Sequence, residues 1–323
     1  MKNTIYLDHA ATSPIAPEVI DVMARAMAEE SGNASSIHTV GRSARKALDD
    51  SRASLAAKVN AKPSEIIFTS GGTEADNMAI FGTAYARQKE GKHIITTAIE
   101  HHAVLHACEK LEKEGFTVTY LPVDKTGRIR AEQVKEALRD DTILVTIMYG
   151  NNEVGTIQPI AEIGAILKEH NATFHTDAVQ AFGLEKMDVE ALHVDLLSVS
   201  AHKINGPKGI GFLYAKTGVK LTNILYGGSQ EKKRRAGTEN VPAIIAFAKA
   251  AELAGQSAQQ RIEKYNGFKN ILIEQFQHAD IDFHLNGHQM SVLPHVLNVT
   301  FPGTDVESFL INLDMAGVLV SSG

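Results

Sequence analysis

The sequence has 323 residues, 44% of them hydrophobic and 22% charged, which is typical of a globular protein with a sizeable core. Its formal net charge of −6 gives the chain as a whole no electrostatic attraction to nucleic acid or to an anionic membrane. The first residues show no apolar core of signal-peptide length, no apolar run is long enough to cross a bilayer, and the single cysteine, Cys108, excludes an intrachain disulfide and fits a reducing cytoplasm.

Strand-like and helix-like patterns alternate along the chain. Apolar runs predict strands at 65–70, 93–97, 117–123, 142–149, 173–178, 195–200 and 209–215. Helical spacing predicts helices at 74–90, 102–114, 131–138 and 160–169, and a long helical stretch that ends near 277. The stretch PHVLNVTFPG (294–303) and a helix near 305–316 follow it. The alternation predicts an α/β fold, with helices on both faces of a mostly parallel sheet and a second, smaller unit.

Polar groups fall at the carboxyl ends of several predicted strands, which is where ligands bind in open α/β sheets. The first group is Gly71-Gly72-Thr73, between a predicted strand and a predicted helix. Glycines let the backbone approach an anion, and a helix N-terminus offers free N–H groups, so this turn suits a phosphate. The alternative is an ordinary turn in which Thr73 caps the helix.

Two further groups follow the next strands of the pattern. Asp177 ends one strand, with Gln180 three residues on, and a carboxylate there suits a cationic ring nitrogen. The alternative is a helix N-cap. Lys203 follows Ser200 and His202 at the end of another strand, where a partly desolvated lysine makes a good imine-forming nucleophile. The alternative is an exposed lysine in a surface loop.

Two polar segments carry weaker signals. Asn152 lies in a polar segment after the strand at 142–149, and a plain polar turn is its alternative interpretation. The basic stretch 231–240 contains Arg235 and Thr238, each suited to contact an anion, and a solvated loop is the alternative there.

A histidine pair and the cysteine share one predicted helix. His102 and His106 are four residues apart, a spacing found in helical metal pairs, but no accompanying ligand set is evident and no metal site is predicted. Cys108 is in line with Val104 and Leu111, which predicts a buried and inert thiol.

The separate signals describe one ligand. Pyridoxal 5′-phosphate (PLP) needs a lysine for its aldehyde, a carboxylate for its pyridinium nitrogen and a cradle for its phosphate. Lys203, Asp177 and Gly72-Thr73 supply these three groups.

At these residues the sequence resembles the cysteine desulfurases of the class-V aminotransferase group. The resemblance runs nearly end to end, through YLDHAATSP (6–14), GNASSIHTVGRSAR (32–45), FTSGGTEADNMAI (68–80), TAIEHHAV (97–104), NNEVGTIQP (151–159), HTDAVQ (175–180), SVSAHKINGPKGIG (198–211) and GGSQEKKRRAGTENV (227–241). It implies the type I fold of PLP-dependent transferases, with a seven-stranded, mostly parallel sheet and a smaller α+β domain.

The resemblance also implies a role for individual residues. The implied cofactor contacts are Gly72, Thr73, His101, Asn152, Asp177, Gln180, Ser200, His202, Lys203 and Thr238. Lys203 and His101 are the implied catalytic residues: Lys203 forms a Schiff base with the cofactor and later moves the Cα proton, and His101 stacks on the ring. Asp177 keeps the ring nitrogen protonated, and Gln180 hydrogen-bonds the phenolate oxygen.

The phosphate and the substrate have their own implied contacts. Thr73, Ser200 and His202 bind the phosphate, and Asn152 lies near the phenolate and the substrate carboxylate. Thr238 reaches the phosphate of the neighbouring subunit, which implies a homodimer with shared sites.

The implied reaction converts L-cysteine to L-alanine and passes the sulfur to an enzyme thiolate as a persulfide. In the family the thiolate lies in a loop that would begin at Ser321-Ser322-Gly323, where this sequence ends. We therefore expect a truncated form that lacks the nucleophilic cysteine and part of its small domain. The expected domains are a large one at 15–255 and a small one at 1–14 and 256–323.

Other functions remain open on the sequence alone. Selenocysteine lyase and class-V aminotransferase are alternative activities, and a non-catalytic PLP-binding scaffold is a third alternative. The expected partners are L-cysteine, a second copy of the chain and a sulfur-acceptor protein for iron–sulfur cluster assembly or tRNA thiolation. A cytoplasmic location is expected, without membrane or direct nucleic-acid binding.

Overall fold

A seven-stranded sheet forms the centre of the structure, a computed structural model that describes residues 4–322. After the short strand β1 (Ile5–Tyr6), its members are β2 (Ile66–Thr69), β3 (His93–Thr97), β4 (Thr117–Leu121), β5 (Thr142–Thr146), β6 (Thr173–Asp177), β7 (Leu196–Ser200) and β8 (Gly211–Ala215). The strand order is β2-β8-β7-β6-β5-β3-β4. Only β8 is antiparallel to its neighbours in this sheet, so the predicted mostly parallel sheet is confirmed.

Helices cover both faces of the sheet, as predicted. They are α1 (Pro17–Glu29), α2 (Thr39–Lys58), α3 (Gly72–Arg87), α4 (His102–Lys113), α5 (Ala131–Ala137), α6 (Ile160–Leu167), the short turn α7 (Gln230–Lys233), α8 (Val241–His278) and α9 (Val306–Ala316). Helices α3 and α4 pack on one face, and α2, α5, α6 and α8 pack on the other. No helix among residues 4–322 has the length and apolar character needed to span a lipid bilayer.

Burial on both faces explains why the strands read as continuous apolar runs. Every residue of β3, β5, β6 and β7 is buried. Side chains alternate between the two cores: Ile67 packs under α3, whereas its neighbours Ile66 and Phe68 join the core under α2 and α8. Sheets with helices on both faces produce this pattern.

The stretch 294–303 contains the short strand β10 (Val299–Thr300), which pairs antiparallel with β9 (His284–Leu285). The residues before it form a loop that is held by packing. Leu293 and Val296 are buried there, against Gly150 and Gly155 respectively. The apolar residues of this loop therefore pack against the segment that follows β5. A packed loop and a buried strand can have the same apolar sequence pattern.

A second short sheet joins the two ends of the described chain. Strand β1 pairs in parallel with β11 (Val318–Leu319), in the register Ile5 to Val318 and Tyr6 to Leu319. This pairing brings the N-terminal segment beside the smaller unit.

Three successive residues of α7 have left-handed backbone: Glu231, Lys232 and Lys233, with φ of 46°, 57° and 66°. Such conformations are strained in non-glycine residues and need support. Glu231 supplies it, because its buried carboxylate accepts two bonds from Arg52, at 2.6 and 2.7 Å, and one from the Phe68 N–H at 3.0 Å. The basic stretch is thus anchored to the core at one end rather than being a wholly solvated loop.

Candidate active site

The carboxyl ends of β2, β6 and β7 meet at one edge of the sheet. Thr69 of β2 and Ser200 of β7 pair with the same residue of β8, Gly211. A Cβ on Gly211 would lie 2.9 Å from the Cα of Gly71, so only glycine lets the two strand ends come this close. The topology therefore brings the Gly71-Gly72-Thr73 turn beside Ser200.

This turn forms the N-terminus of α3. Gly71 is the N-cap, with φ of 150°, and no side chain caps the helix, so the alternative that Thr73 is the cap is wrong. A Cβ on Gly72 would lie 2.8 Å from Cγ2 of Val179, so only glycine lets Val179 pack this closely against the start of the helix and leaves its backbone N–H groups without a covering side chain of their own. Such N–H groups suit a phosphate.

Lys203 lies in a short 3₁₀ turn directly after β7. Its Nζ donates to the carbonyl oxygen of Ala10 and, at 2.9 Å, to that of Ala11. Burial lowers the pKa of this amine, and the charge of Asp177 counteracts the shift. The alternative of an exposed surface lysine is wrong, and an amine that loses its proton readily is suited to attack an aldehyde.

Asp177 ends β6 with its carboxylate buried. One oxygen accepts the N–H of Val179 at 2.9 Å, within a series of turns, so the helix-cap alternative is wrong. Burial raises the pKa of Asp177, whereas the Val179 bond and the charges of His101 and Lys203 lower it. A cation placed against this carboxylate would replace the water that burial removes.

His101 is the N-cap of α4, and its Nδ1 accepts the Ala103 N–H at 3.1 Å. The ring borders a cavity of about 350 Å³ with the lining residues Thr73, Asn77, Phe81, His101, His102, Ala103, His106 and Ala107. The cavity opens beside the α3 N-terminus and does not include Lys203. Thr73 and His101 therefore line the cavity, whereas Lys203 and Asp177 lie outside its lining.

Gln180 is buried beside Lys203. Its Nε2 donates at 2.9 Å to the carbonyl oxygen of Ala10, the same atom that accepts from the Lys203 amine. His202 is held by Thr12, with 3.1 Å between Nδ1 and Oγ1, and burial with the charges of Lys203 and Lys208 lowers its pKa to about 4. The ring is therefore neutral at neutral pH.

Asn152 and Thr238 are less closely tied to this group. Asn152 is half-buried and donates to Oε1 of Glu153 at 2.5 Å. Thr238 is exposed, and within residues 4–322 no hydrogen bond joins it to Lys203 or to the glycine turn. Arg235 is paired with Glu74 of α3 at 2.7 and 3.1 Å, so its guanidinium is already engaged and the predicted anion contact is not supported for Arg235.

The histidine pair and the cysteine of α4 behave differently. The rings of His102 and His106 stack with centroids 5.0 Å apart, and residues 4–322 contain no cluster of three metal-ligating side chains. Cys108 is fully buried, and burial raises the pKa of its thiol to about 12. The prediction of a buried, inert thiol is confirmed.

Three buried titratable groups near Asp177 were not predicted from the sequence. Asp76, Glu100 and His175 are all buried. Burial and the charge of Asp177 raise the pKa of Asp76 well above its ordinary range, and burial lowers that of His175 to about 3. One signal was available, because the helical neighbours of Asp76 three and four residues on, Ala79 and Ile80, are both apolar.

The residues at this edge fit PLP. Lys203 offers a half-buried amine, Asp177 a buried carboxylate, and Gly71-Gly72 a helix N-terminus without side chains over its backbone N–H groups. The donor set is that of an aldehyde with a pyridinium and a phosphate.

Comparisons with known proteins agree with this chemistry. The model of the family "Aminotransferase class-V" matches residues 5–323. The chain is 62% identical to the putative cysteine desulfurase IscS 1 of Bacillus subtilis (strain 168), over 99% of this chain and 84% of that protein. It is 49% identical to the cysteine desulfurase IscS of Methanosarcina thermophila, over 99% of this chain and 79% of that protein.

Solved structures give the same result. A "NIFS-LIKE PROTEIN" superposes with a TM-score of 0.96 at 36% identity, covering 99% of this chain and 88% of that one. The structure titled "SspA in complex with cysteine" has a TM-score of 0.88 at 38% identity, covering 99% and 89%. The chain therefore belongs to the class-V aminotransferase family and, within it, to the cysteine desulfurases.

Proposed function

We propose that this chain acts as a PLP-dependent cysteine desulfurase in which Lys203 is the cofactor-binding and proton-moving residue. The observation that supports this role most directly is the convergence of the Lys203 amine, the buried Asp177 carboxylate and the Gly71-Gly72 turn at one sheet edge. The substrate is L-cysteine and the carbon product is L-alanine.

When bound, PLP supplies an electron sink for the pair left on the substrate Cα after its proton is removed. Lys203 binds the cofactor aldehyde and takes the Cα proton, and the burial that lowers its pKa favours both tasks. Asp177 holds the pyridinium proton, because a buried carboxylate is stabilised by a cation in contact. His101 covers the ring from the N-terminus of α4.

The remaining site residues would fix the position of the cofactor through its phenolate oxygen and its phosphate. Gln180 donates to the phenolate oxygen, and Asn152 lies beside it and the substrate carboxylate. Gly72, Thr73, Ser200 and His202 would hold the cofactor phosphate at the N-terminus of α3.

Sulfur leaves the substrate when a thiolate attacks its Sγ and forms the S–S bond of a persulfide. The Cβ–Sγ bond breaks with its electron pair left on Cβ, which takes a proton to become the methyl group of L-alanine. We do not assign this thiolate to Cys108, whose thiol is fully buried with a pKa raised to about 12. The persulfide sulfur passes to an acceptor protein of cytoplasmic iron–sulfur cluster assembly or tRNA thiolation. Selenocysteine is the alternative substrate, because selenium in place of sulfur leaves every assigned contact unchanged.

Two features of assembly belong to the proposal. The large domain is assigned to 15–255 and the small one to 1–14 and 256–323, since every strand of the central sheet lies between residues 66 and 215. The functional unit is a homodimer, in which Thr238 completes the phosphate contacts of the partner's site. The exposure of Thr238 within one chain supports this arrangement.

An absorption spectrum tests the role of Lys203. The purified wild-type protein loaded with PLP should show a visible band that L-cysteine perturbs, and Lys203→Ala should lose or shift the band because the covalent link is gone. Lys208→Ala is the matched control, since Lys208 is an exposed lysine five residues along the chain. An unchanged band in Lys203→Ala would refute the assignment.

Mixing variants tests the shared site. Lys203→Ala and Thr238→Ala each weaken both sites of their own homodimer. A heterodimer of the two carries one site with both changes and one site with neither. Since heterodimers form half of an equal mixture after free exchange, the mixture should regain about a quarter of the wild-type activity if Thr238 acts across the interface. No recovery after verified subunit exchange would place Thr238 in the site of its own chain.

A further inference from the structure

His295 contacts the candidate site from outside the residues assigned so far. It lies in the loop between β9 and β10, and its Nε2 is 3.2 Å from Oε1 of Gln180. An amide oxygen only accepts hydrogen bonds, so the ring must carry its proton on Nε2. His295 therefore donates to Gln180.

The opposite atom of the same amide faces Lys203. Gln180 Nε2 donates at 2.9 Å to the Ala10 carbonyl oxygen, which also accepts from the Lys203 amine. This bond uses one of the two amide hydrogens. His295 at the oxygen and Ala10 at the nitrogen together hold the amide with its NH₂ group on the side of Lys203.

We propose that His295 is a positioning residue that keeps the second N–H of Gln180 available to the phenolate oxygen of PLP. The inference rests on the proposed function, in which Gln180 contacts that oxygen. A donated hydrogen bond favours the ionised form of its acceptor. His295 acts through Gln180 to lower the pH at which the bound cofactor loses its proton.

The surroundings of His295 favour a neutral ring with one fixed tautomer. Burial lowers its pKa to about 3, and the cations that face it act in the same direction, namely Lys269 and Arg261 of α8, Lys203 and His9. Nδ1 is shielded from solvent and has no hydrogen-bond partner among the described residues. An unpaired buried nitrogen is destabilising, and a phenylalanine would avoid it, so packing alone does not explain a histidine here.

The test is a pH titration of the visible band of the PLP-loaded protein. His295→Phe keeps the ring shape and removes the donor, and it should raise the titration midpoint by about one pH unit, the size expected for one hydrogen bond to the charged form. His295→Gln retains a donor at similar reach and should stay close to wild type. Gln180→Ala should raise the midpoint at least as far.

A double variant separates the inference from the proposed function. His295→Phe combined with Gln180→Ala should titrate like Gln180→Ala alone, because His295 acts only through that amide. If Gln180→Ala leaves the midpoint unchanged, the proposed cofactor contact of Gln180 is wrong and the inference falls with it. If Gln180→Ala shifts the midpoint but His295→Phe does not, or if the two shifts add, the inference alone is overturned.

A second substitution covers the case in which His295→Phe does not fold. His295→Asn places its amide near the Nδ1 position, too far back to reach Gln180, and should raise the midpoint as His295→Phe would. An unshifted midpoint in folded His295→Asn overturns the inference.

Discussion

Glu100 is a buried carboxyl group that joins the end of β3 to β5. Its Oε1 accepts the Thr97 hydroxyl at 2.6 Å, and Oε2 accepts the Met148 N–H at 2.9 Å. Burial raises its pKa to about 8, with Asp177 adding to the shift and the two hydrogen bonds opposing it. The next residue is His101, so the neutral Glu100 fixes the backbone that presents this ring.

Glu100→Gln should change how stability depends on pH. The folded chain keeps a proton on Glu100 up to about pH 8, whereas the unfolded chain releases it near 4.5, so wild type loses stability as the pH rises through this window. Glutamine does not ionise, so the variant lacks this loss. Between pH 4.5 and about pH 8, the unfolding free energy of the variant minus that of wild type should rise by about 1.4 kcal/mol per pH unit. Denaturant unfolding across the window measures this difference.

The control for this experiment is Glu132→Gln, at an exposed position in the first turn of α5. Its unfolding free energy should run parallel to that of wild type. Parallel curves for Glu100→Gln as well would contradict a neutral buried Glu100.

Helix α6 shows how closely one element packs on its neighbour. A Cβ on Gly164 would lie 2.1 Å from the carbonyl oxygen of Leu192, so the backbones touch where α6 crosses the segment before β7. Gly267 of α8 is the opposite case, because a Cβ there would meet nothing within 4 Å.

The same substitution should therefore have opposite effects in the two helices. Gly164→Ala should lower the unfolding free energy by about 1–3 kcal/mol, because the added methyl group overpacks rigid backbone. Gly267→Ala should raise it by roughly 0.5–1 kcal/mol, since alanine is the better helix former. Chemical denaturation of both variants gives the signs, and a stable Gly164→Ala would show that α6 can move away at little cost.

The N-terminal segment connects distant parts of the molecule at the site. Residues 10–16 run along the loop of Lys203 and accept or donate bonds at several points. Ser13 is central to this contact: its Oγ donates to the His202 carbonyl oxygen at 2.7 Å and accepts the Asn205 N–H at 2.8 Å. The position of the Lys203 amine thus depends on a segment almost two hundred residues away in sequence.

Ser13→Ala should loosen this contact. The Asn205 N–H loses its acceptor, which should lower the unfolding free energy by about 1–3 kcal/mol and speed the loss of PLP during dialysis. Ser35→Ala, at an exposed position, is the control. Wild-type retention of PLP by Ser13→Ala would mean that the segment does not support the cofactor loop.

Much of the architecture was predictable because its signals are local. Buried parallel strands produce apolar runs, and helices between them produce a regular apolar stripe, so seven strands and the helices between them follow from neighbouring residues. The Gly71-Gly72 turn and Lys203 stand out for the same reason, since each lies directly after such a run. The stretch 294–303 could not be assigned from such a signal, because part of its apolar character serves the packing of Val296 against Gly155 rather than strand pairing.

Contacts between distant residues were beyond any local pattern. Nothing near Asp76, Glu100 or His295 in the sequence shows which groups they meet. The folded chain places Asp76 and Glu100 near Asp177, and His295 against Gln180. The sequence by itself determined which groups could bind the cofactor, because the amine, the carboxylate and the glycine turn each lie directly after a predicted strand. Only the tertiary structure decided which buried groups keep their protons and which amide atom of Gln180 faces Lys203. Both depend on burial and on hydrogen bonds between residues 10, 180 and 295, which are far apart in the sequence.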